Sequence, residues 1–246
     1  LGWDLPKRSD YDPKIEESLK ELTCLKELKF VGGEPLMSKG HKSILQCFSS
    51  ELRQSMTLDY NTNTTIYPDQ ETIDLWADFG KVNLWLSVDG YGFVNEFVRF
   101  PTLWSQVEET TDSFIELAKE KSNICLKMIV TVNAYNVTNI PKLTTWMQQK
   151  GFERFVFNPV VEPSYLRPTN LPQPILDQTI AELEQGEDQH KTVAKYLRNQ
   201  PSLPFDNKII DYTRSLALVR SLDIARYLPD LEFLHHPFAE NHPPIS

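Results

Sequence analysis

Short apolar segments alternate with amphipathic segments from about residue 12 to about residue 160, and no other feature constrains the fold as much. An apolar run closed by glycine or asparagine reads as a buried strand, whereas apolar residues repeating every three to four positions read as one face of a helix. Units of strand then helix build a parallel sheet, because each helix must carry the chain back before the next strand can pair in the same direction. Strands are expected at residues 26–31, 56–61, 82–88, 126–132 and 154–157. The first helix opens at Asp12-Pro13, a capping residue before a proline suited to the first helical position, and sets Ile15, Leu19 and Leu22 on one face. The next carries Ile44, Leu45, Phe48 and Leu52, and Asp69 caps one bearing Ile73, Trp76 and Phe79. Residues 104–119 and 140–147 complete the set, the latter stopped at Gly151.

Beyond Pro159 the pattern changes. Pro159, Pro163, Pro168, Pro172 and Pro174 mark an irregular crossing, and helical stretches follow at about 174–199 and 204–227. The division expected is therefore a β/α portion over residues 1–164 and a helical extension over 165–246, with a loose tail from His235.

Polar and glycine residues collect where the strands stop: Gly32-Gly33-Glu34, Asn61-Thr62-Asn63, Ser87-Val88-Asp89, Asn133 and Asn158. Parallel sheets bind ligands at the C-terminal ends of their strands. Polar groups in a packed core cost free energy unless paired, so five such ends in succession point to one rim of ligand contacts. Gly32 and Gly33 let the chain turn and approach a ligand without a Cβ, and Glu34 offers a carboxylate suited to an ammonium group. A plain turn with a surface glutamate fits the same residues. Ser87 and Asp89 are small polar groups that can bond a ligand or cap the turn before Gly90. Asn61 and Asn63 can bond a ligand or serve as turn residues.

Composition narrows the classes further. Hydrophobic residues make up 40% and charged residues 24%, as in ordinary globular chains, and no apolar run approaches the roughly 20 residues that span a bilayer. A net charge of −9 disfavours nonspecific duplex binding, which needs Lys and Arg against phosphates. Cys24, Cys47 and Cys125 lack metal-ligand or redox spacing and read as reduced thiols in or near a core, with the cytoplasm as the default compartment. His235, His236 and His242 have no carboxylate or cysteine frame around them and read as tail histidines, so no metal ligand is assigned. Asp112, Glu116 and Glu120 read as a solvated helix face, and Trp76, Trp85 and Trp104 as core.

The segment FVGGEPLM resembles the Gly-Gly-Glu-Pro motif of radical S-adenosylmethionine enzymes. DYNTNTT, LSVDGYG with VNEFVRFP, TVNAYN and FVFNPV resemble that family's next four strand regions in order, and TRSLALVRSLDIARYLPDLEFL resembles the last helix of its twitch-domain subgroup. The resemblance implies a partial parallel (β/α)6-type TIM-like barrel, strands 2 to 6, with the helical appendage at its end. It also implies an S-adenosylmethionine site made by Gly32, Gly33, Glu34, Asn61, Asn63, Ser87, Asp89, Arg99, Val132 and Asn158. Glu34 would take the methionine amino group, and the planar Arg99 fork its carboxylate. Asn158 would meet adenine edges.

The family's three-cysteine loop, Cys-x3-Cys-x2-Cys, is missing from this sequence. Thiolates bind the iron of a 4Fe–4S cluster, so the resemblance implies a cluster only in an intact protein whose first strand and cluster loop precede Leu1. A natural chain that lost its cluster, binding S-adenosylmethionine or a partner without turnover, is the alternative. A hydrolase using Glu34 and Asp89 as acid and base is a third. For the intact enzyme the implied reaction is reductive cleavage of S-adenosylmethionine to a 5′-deoxyadenosyl radical that abstracts hydrogen. The substrate stays open among peptide, sugar and nucleotide, and no catalytic residue is assigned. An electron donor such as flavodoxin or ferredoxin is implied, and no membrane partner. Anaerobic reconstitution of this chain with iron and sulfide should leave it without cluster absorbance in the visible spectrum.

Overall fold

The computed structural model describes residues 14–38, 40–153, 155–201 and 203–235. The capping pair Asp12-Pro13, Arg154 of the expected fifth strand, and the tail residues His236 and His242 lie outside them. Along the chain run α1 (Lys14–Lys20), β1 (Glu27–Phe30), α2 (Gly40–Gln46), α3 (Ser50–Ser55), β2 (Thr57–Thr62), α4 (Gln70–Ala77) and β3 (Lys81–Ser87). Then follow α5 (Phe93–Val98), α6 (Trp104–Glu120), β4 (Ile124–Val132), α7 (Ile140–Gln149) and β5 (Phe155–Pro159). Helices α8 (Gln173–Gln185), α9 (Asp188–Asn199), α10 (Lys208–Arg220) and α11 (Ile224–Tyr227) complete the order. The class is α/β, with one five-stranded sheet in the sequential order β1-β2-β3-β4-β5, the order of a partial β/α barrel.

Two compact units divide the chain: Leu1–Ser87 with Ser105–Met128, and Val88–Trp104 with Ile129–Ser246. In the first, β1 pairs with β2 and β2 with β3, both parallel. Alternate residues point to opposite faces of a strand, and the two faces here differ in kind. Leu58, Tyr60, Val82, Leu84, Leu86 and Met128 are buried on the apolar face. The same core holds Leu45 and Phe48 around α2, Trp76 of α4 and Phe114 of α6. In-register positions on the other face hold Lys29, Asp59 and Asn83, then Asn61 and Trp85. Trp85, expected in the core, is half-buried on this polar face, with the Lys127 ammonium 4.5 Å from its ring centroid. The strand's even positions supply its core residues, so Trp85 shares the odd, polar side.

Asp69 caps α4 as expected, its carboxylate accepting from the Thr72 N–H at 3.0 Å. Asp112, Glu116 and Glu120 are exposed. Three further expectations are corrected in this unit. The single helix expected through Ile44 to Leu52 is two, because Ser49 caps a new start at α3. Helix α1 buries none of its residues, and Ile15 and Leu22 are 45% and 44% exposed. Cys24 is exposed and so stands away from any core, whereas Cys47 and Cys125 are half-buried near one; burial raises the Cys47 pKa.

The second unit packs Phe97 of α5, Val130 and Val132 of β4, and Leu143, Trp146 and Met147 of α7. The helix expected over 174–199 breaks at Gly186, whose Cβ, if present, would lie 2.0 Å from the His190 ring. Glu187 then starts α9 with a reciprocal capping arrangement completed by His190. The helix expected over 204–227 begins at Lys208 and breaks at Ser221, held at φ 54°, before Asp223 caps α11. His235 is not part of a loose tail: its Nε2 donates to the Leu228 carbonyl at 2.8 Å.

Gly80, at the entry to β3, sits where no side chain fits. Its N–H donates to the Arg53 carbonyl at 3.0 Å, and a Cβ there would lie 2.3 Å from the Gln54 carbonyl oxygen. Gly80→Ala should therefore destabilise the chain by about 1–3 kcal/mol. Scanning calorimetry should show Tm falling roughly 2–4 °C for each kcal/mol in a chain of this size.

Candidate functional site

In the first unit the chain leaves β1 through Gly32 and Gly33 at φ 87° and 49°. These are left-handed values that glycine adopts without strain. Among the described residues a Cβ at either position would meet nothing within 4 Å, so the glycines serve backbone shape and no described side chain fills the space above the turn. Glu34 follows, and its carboxylate ties the turn to the end of β2. Oε1 accepts from the Leu36 N–H at 3.2 Å, and Oε2 from the Thr62 hydroxyl at 2.9 Å and the Asn63 N–H at 2.7 Å. A carboxylate offers about four acceptor positions, so Glu34 keeps capacity for one further donor. Asn63 itself is a turn residue, its side chain accepting from the Thr65 N–H at 3.0 Å.

The sequence shows Thr62 only as a member of the Asn61-Thr62-Asn63 strand end and assigns no site role to it or to His41. Thr62 is buried and also accepts from the Thr64 N–H at 3.1 Å. Nδ1 of buried His41 lies 2.9 Å from the Pro35 carbonyl oxygen. A carbonyl can only accept, so that nitrogen carries the proton. Burial lowers the His41 pKa, which favours the neutral ring. A hydroxyl beside two asparagines and a histidine in a helix carry no distinctive spacing, so only coordinates reveal them. A cavity of about 550 Å³ opens over this turn, lined by Phe30, Gly33, Glu34, Met37, His41 and Ile44 among others. Asn61 lies on β2 with its Oδ1 lacking a partner, and Ser87 is the last residue of β3.

In the second unit the loop after β3 is held by three asparagines. Asn95 accepts from the Asp89 N–H at 3.0 Å, Asn136 donates to the Asp89 carbonyl, and Asn139 accepts from the Tyr91 N–H at 2.6 Å. Asn136 also donates to the Thr131 carbonyl at 2.9 Å, fastening the loop to β4. Asp89 is 4% exposed. Its Oδ1 accepts from the Thr131 N–H at 2.7 Å, and its Oδ2 pairs with Arg99 Nη2 at 2.8 Å. Arg99 is thus drawn to a carboxylate of its own chain, while its buried Nε has no hydrogen-bond partner among the described residues. Val132 is fully buried and its carbonyl accepts from the Val160 N–H at 2.8 Å. Asn158 stands exposed on β5.

The structure therefore brings Glu34, Thr62 and Asn63 together in one unit, and Asp89 and Arg99 in the other. No protein-family model and no curated protein matches the chain. Among solved structures it is similar to native anSMEcpe with bound AdoMet and the Kp18Cys peptide. That match has 16% identity and a TM-score of 0.47 over 70% of this chain and 50% of the other. Native anSMEcpe with bound AdoMet matches at 17% identity and a TM-score of 0.46, over 69% and 47%. Streptococcus suis SuiB bound to S-adenosylmethionine matches at 16% identity and 0.42, over 57% and 31%. The chain spans about half the length of the anSMEcpe structures, and likeness this distant leaves its chemistry to be argued from its own residues.

Burial raises the Asp89 pKa, opposed by the Arg99 charge and the Thr131 N–H. The fold then holds that proton to a higher pH than the unfolded chain does, so this group's contribution to stability falls as pH rises from 3.8 through the raised value. Removing Arg99 extends that window upward, because the main opposing charge is gone. Arg99→Gln should cost about 3 kcal/mol at neutral pH and less as Asp89 takes up its proton. Urea unfolding midpoints at pH 5 and pH 8 should show the larger loss at pH 8.

Proposed function

We propose that the chain is the cofactor-holding part of a radical S-adenosylmethionine enzyme, in which the turn after β1 grips the methionine end of S-adenosylmethionine. The observation that carries this reading is the Glu34 carboxylate, fixed by three hydrogen bonds beside two glycines above an open cavity. A primary ammonium brings a charge and three donors, and the remaining acceptor capacity of Glu34 suits it. Gly32 and Gly33 leave their backbone uncovered to the same space. Asn61 and Asn63 on β2 and its turn, and Ser87 at the end of β3, add polar groups within that unit. In the other unit, Arg99 retains N–H groups beyond the one given to Asp89, and these suit a carboxylate. Val132 and Asn158 belong to that same unit, the one a buried apolar residue and the other an exposed amide suited to an adenine edge. The barrel portion is taken as residues 1–164 and the helical extension as 165–246.

The chemistry supplied by that cofactor, once bound beside a reduced cluster in the intact enzyme, is hydrogen-atom abstraction. The chain's own residues bind and orient the cofactor and exclude water from it. They do not fit the cluster: the three cysteines lie far apart in sequence, and no three His, Cys, Asp or Glu side chains come together among the described residues. No helix among them is long and apolar enough to cross a membrane. The substrate and the electron donor belong to the intact enzyme.

Calorimetric titration with S-adenosylmethionine tests the reading. The wild-type chain should bind it, and Glu34→Gln, which keeps the shape and one acceptor oxygen, should weaken binding by roughly tenfold or more. If Glu34→Gln lowers Tm yet leaves that affinity unchanged, Glu34 is only a tie between loops and the reading fails.

A further inference from the structure

On the polar face of the first unit's sheet, three acceptors lack the partners that burial demands. Asp59 of β2 is 6% exposed. Among the described residues it makes no ion pair, and its one hydrogen bond comes from the Trp85 indole N–H at 2.6 Å. Among the described residues Oδ1 of Asn61 and Oδ1 of Asn83 have no hydrogen-bond partner, and both are buried. Buried polar groups are costly unless paired, and a buried carboxylate most of all.

The register explains how all three are covered. Asp59 stands beside Asn83, and Asn61 beside Trp85, so the four residues mark the corners of one patch on two adjacent strands. Its sides are about 4.8 Å across the strands and about 6.6 Å along them. The indole starts at the Trp85 corner and reaches Asp59, the opposite corner. It therefore runs along one diagonal of the patch, between the Asn61 and Asn83 corners. The Lys127 ammonium sits 4.5 Å from the centroid of the same ring, so the ring already receives one ammonium group.

We propose that Asp59, Asn61 and Asn83 form an acceptor site for a primary ammonium group, with the Trp85 ring as its movable wall. A carboxylate and two amide oxygens match the charge and three N–H donors of such a group, and an indole face adds attraction for a cation. A neutral hydroxyl would leave the carboxylate uncompensated, and an anion would be repelled by it. Lys127 competes for the ring from within the chain. The site includes neither Glu34 nor Arg99 and does not depend on the cofactor reading. Asn61, expected to contact cofactor or substrate, is the one residue common to both.

The full chain labelled with 5-fluorotryptophan tests this by fluorine NMR, with the Trp85 signal assigned from Trp85→Phe. Butylammonium should shift that signal saturably, whereas butyrate and glucose should not. Asp59→Asn and Asn83→Ala should weaken the effect roughly tenfold or more. Lys127→Met, a substitution at a half-exposed side chain, should strengthen it roughly two- to fivefold. Glu34→Gln should leave it unchanged. Simultaneous binding of butylammonium and S-adenosylmethionine would show two separate sites, whereas competition would show that they overlap through Asn61, the residue common to both. If S-adenosylmethionine fails to bind while butylammonium still shifts Trp85, the cofactor reading falls and this one stands. No saturable shift, an equal shift with glucose or butyrate, or no change in affinity with Lys127→Met would overturn the proposal.

Discussion

The split character of the sheet is the constraint on which the first unit depends. A strand exposes alternate residues to opposite sides, and β2 and β3 place Leu58, Tyr60, Val82, Leu84 and Leu86 on one side. Burying that side against helices supplies the dominant favourable term for folding, at about 25 cal/mol for each Å² of apolar surface removed from water. The other side is then free to carry groups with no place in a core: Lys29, Asp59, Asn61, Asn83 and Lys127. A register slip of one residue would exchange the two sets, exposing the leucines and driving an aspartate and two asparagines under the helices. The apolar side thus fixes the register that makes the polar side possible.

Loops at the C-terminal strand ends meet a second demand, since their backbone groups no longer have a ladder to join. Short polar side chains answer it locally. Glu34 collects two N–H groups and a hydroxyl, and Asn63 and Thr62 close the turn after β2. Separately, Asn95, Asn136 and Asn139 hold the turn after β3. Asparagine suits this work because its amide both donates and accepts. The polar residues gathered at strand ends are therefore first of all the fasteners of their own loops. Ligand capacity is what remains after fastening: one acceptor position on Glu34, and the Arg99 donors not given to Asp89.

This double use explains what could be read from the sequence. The strands were legible because their apolar runs are short and closed by Gly32, Asn61, Asp89 and Asn133, and Asp69 marked a helix start by its cap. Breaks inside helical stretches were not. Ser49, Glu187 and Asp223 each restart a helix through a contact that depends on the turn before it, and Ser221 adopts a left-handed angle that its residue type does not announce. The Gly-Gly-Glu-Pro turn was legible as a motif, yet its partner Thr62 was not, because the contact spans the sequence gap between two strands. Trp85 was misplaced for a related reason. An indole is apolar enough to suggest a core, and only the register shows that it shares a side with Asp59.

Two buried aspartates carry the comparison further, each within its own unit. Asp89 has both oxygens engaged, one by Arg99 and one by the Thr131 N–H, so its charge is compensated by the fold itself. Asp59 is nearly as buried and has a single indole N–H. One indole hydrogen bond supplies no positive charge, and a nearby amide oxygen supplies none either. A fold needing only stability at that position would do as well with an asparagine or a leucine, since replacing buried ionic groups by apolar ones is often neutral or better. A carboxylate there, flanked in register by Lys29 but ion-paired with no described residue, is what the proposed ammonium site turns to use. The two aspartates therefore differ in how far the described residues engage them: both oxygens of Asp89 are taken up within the chain, and one oxygen of Asp59 is not.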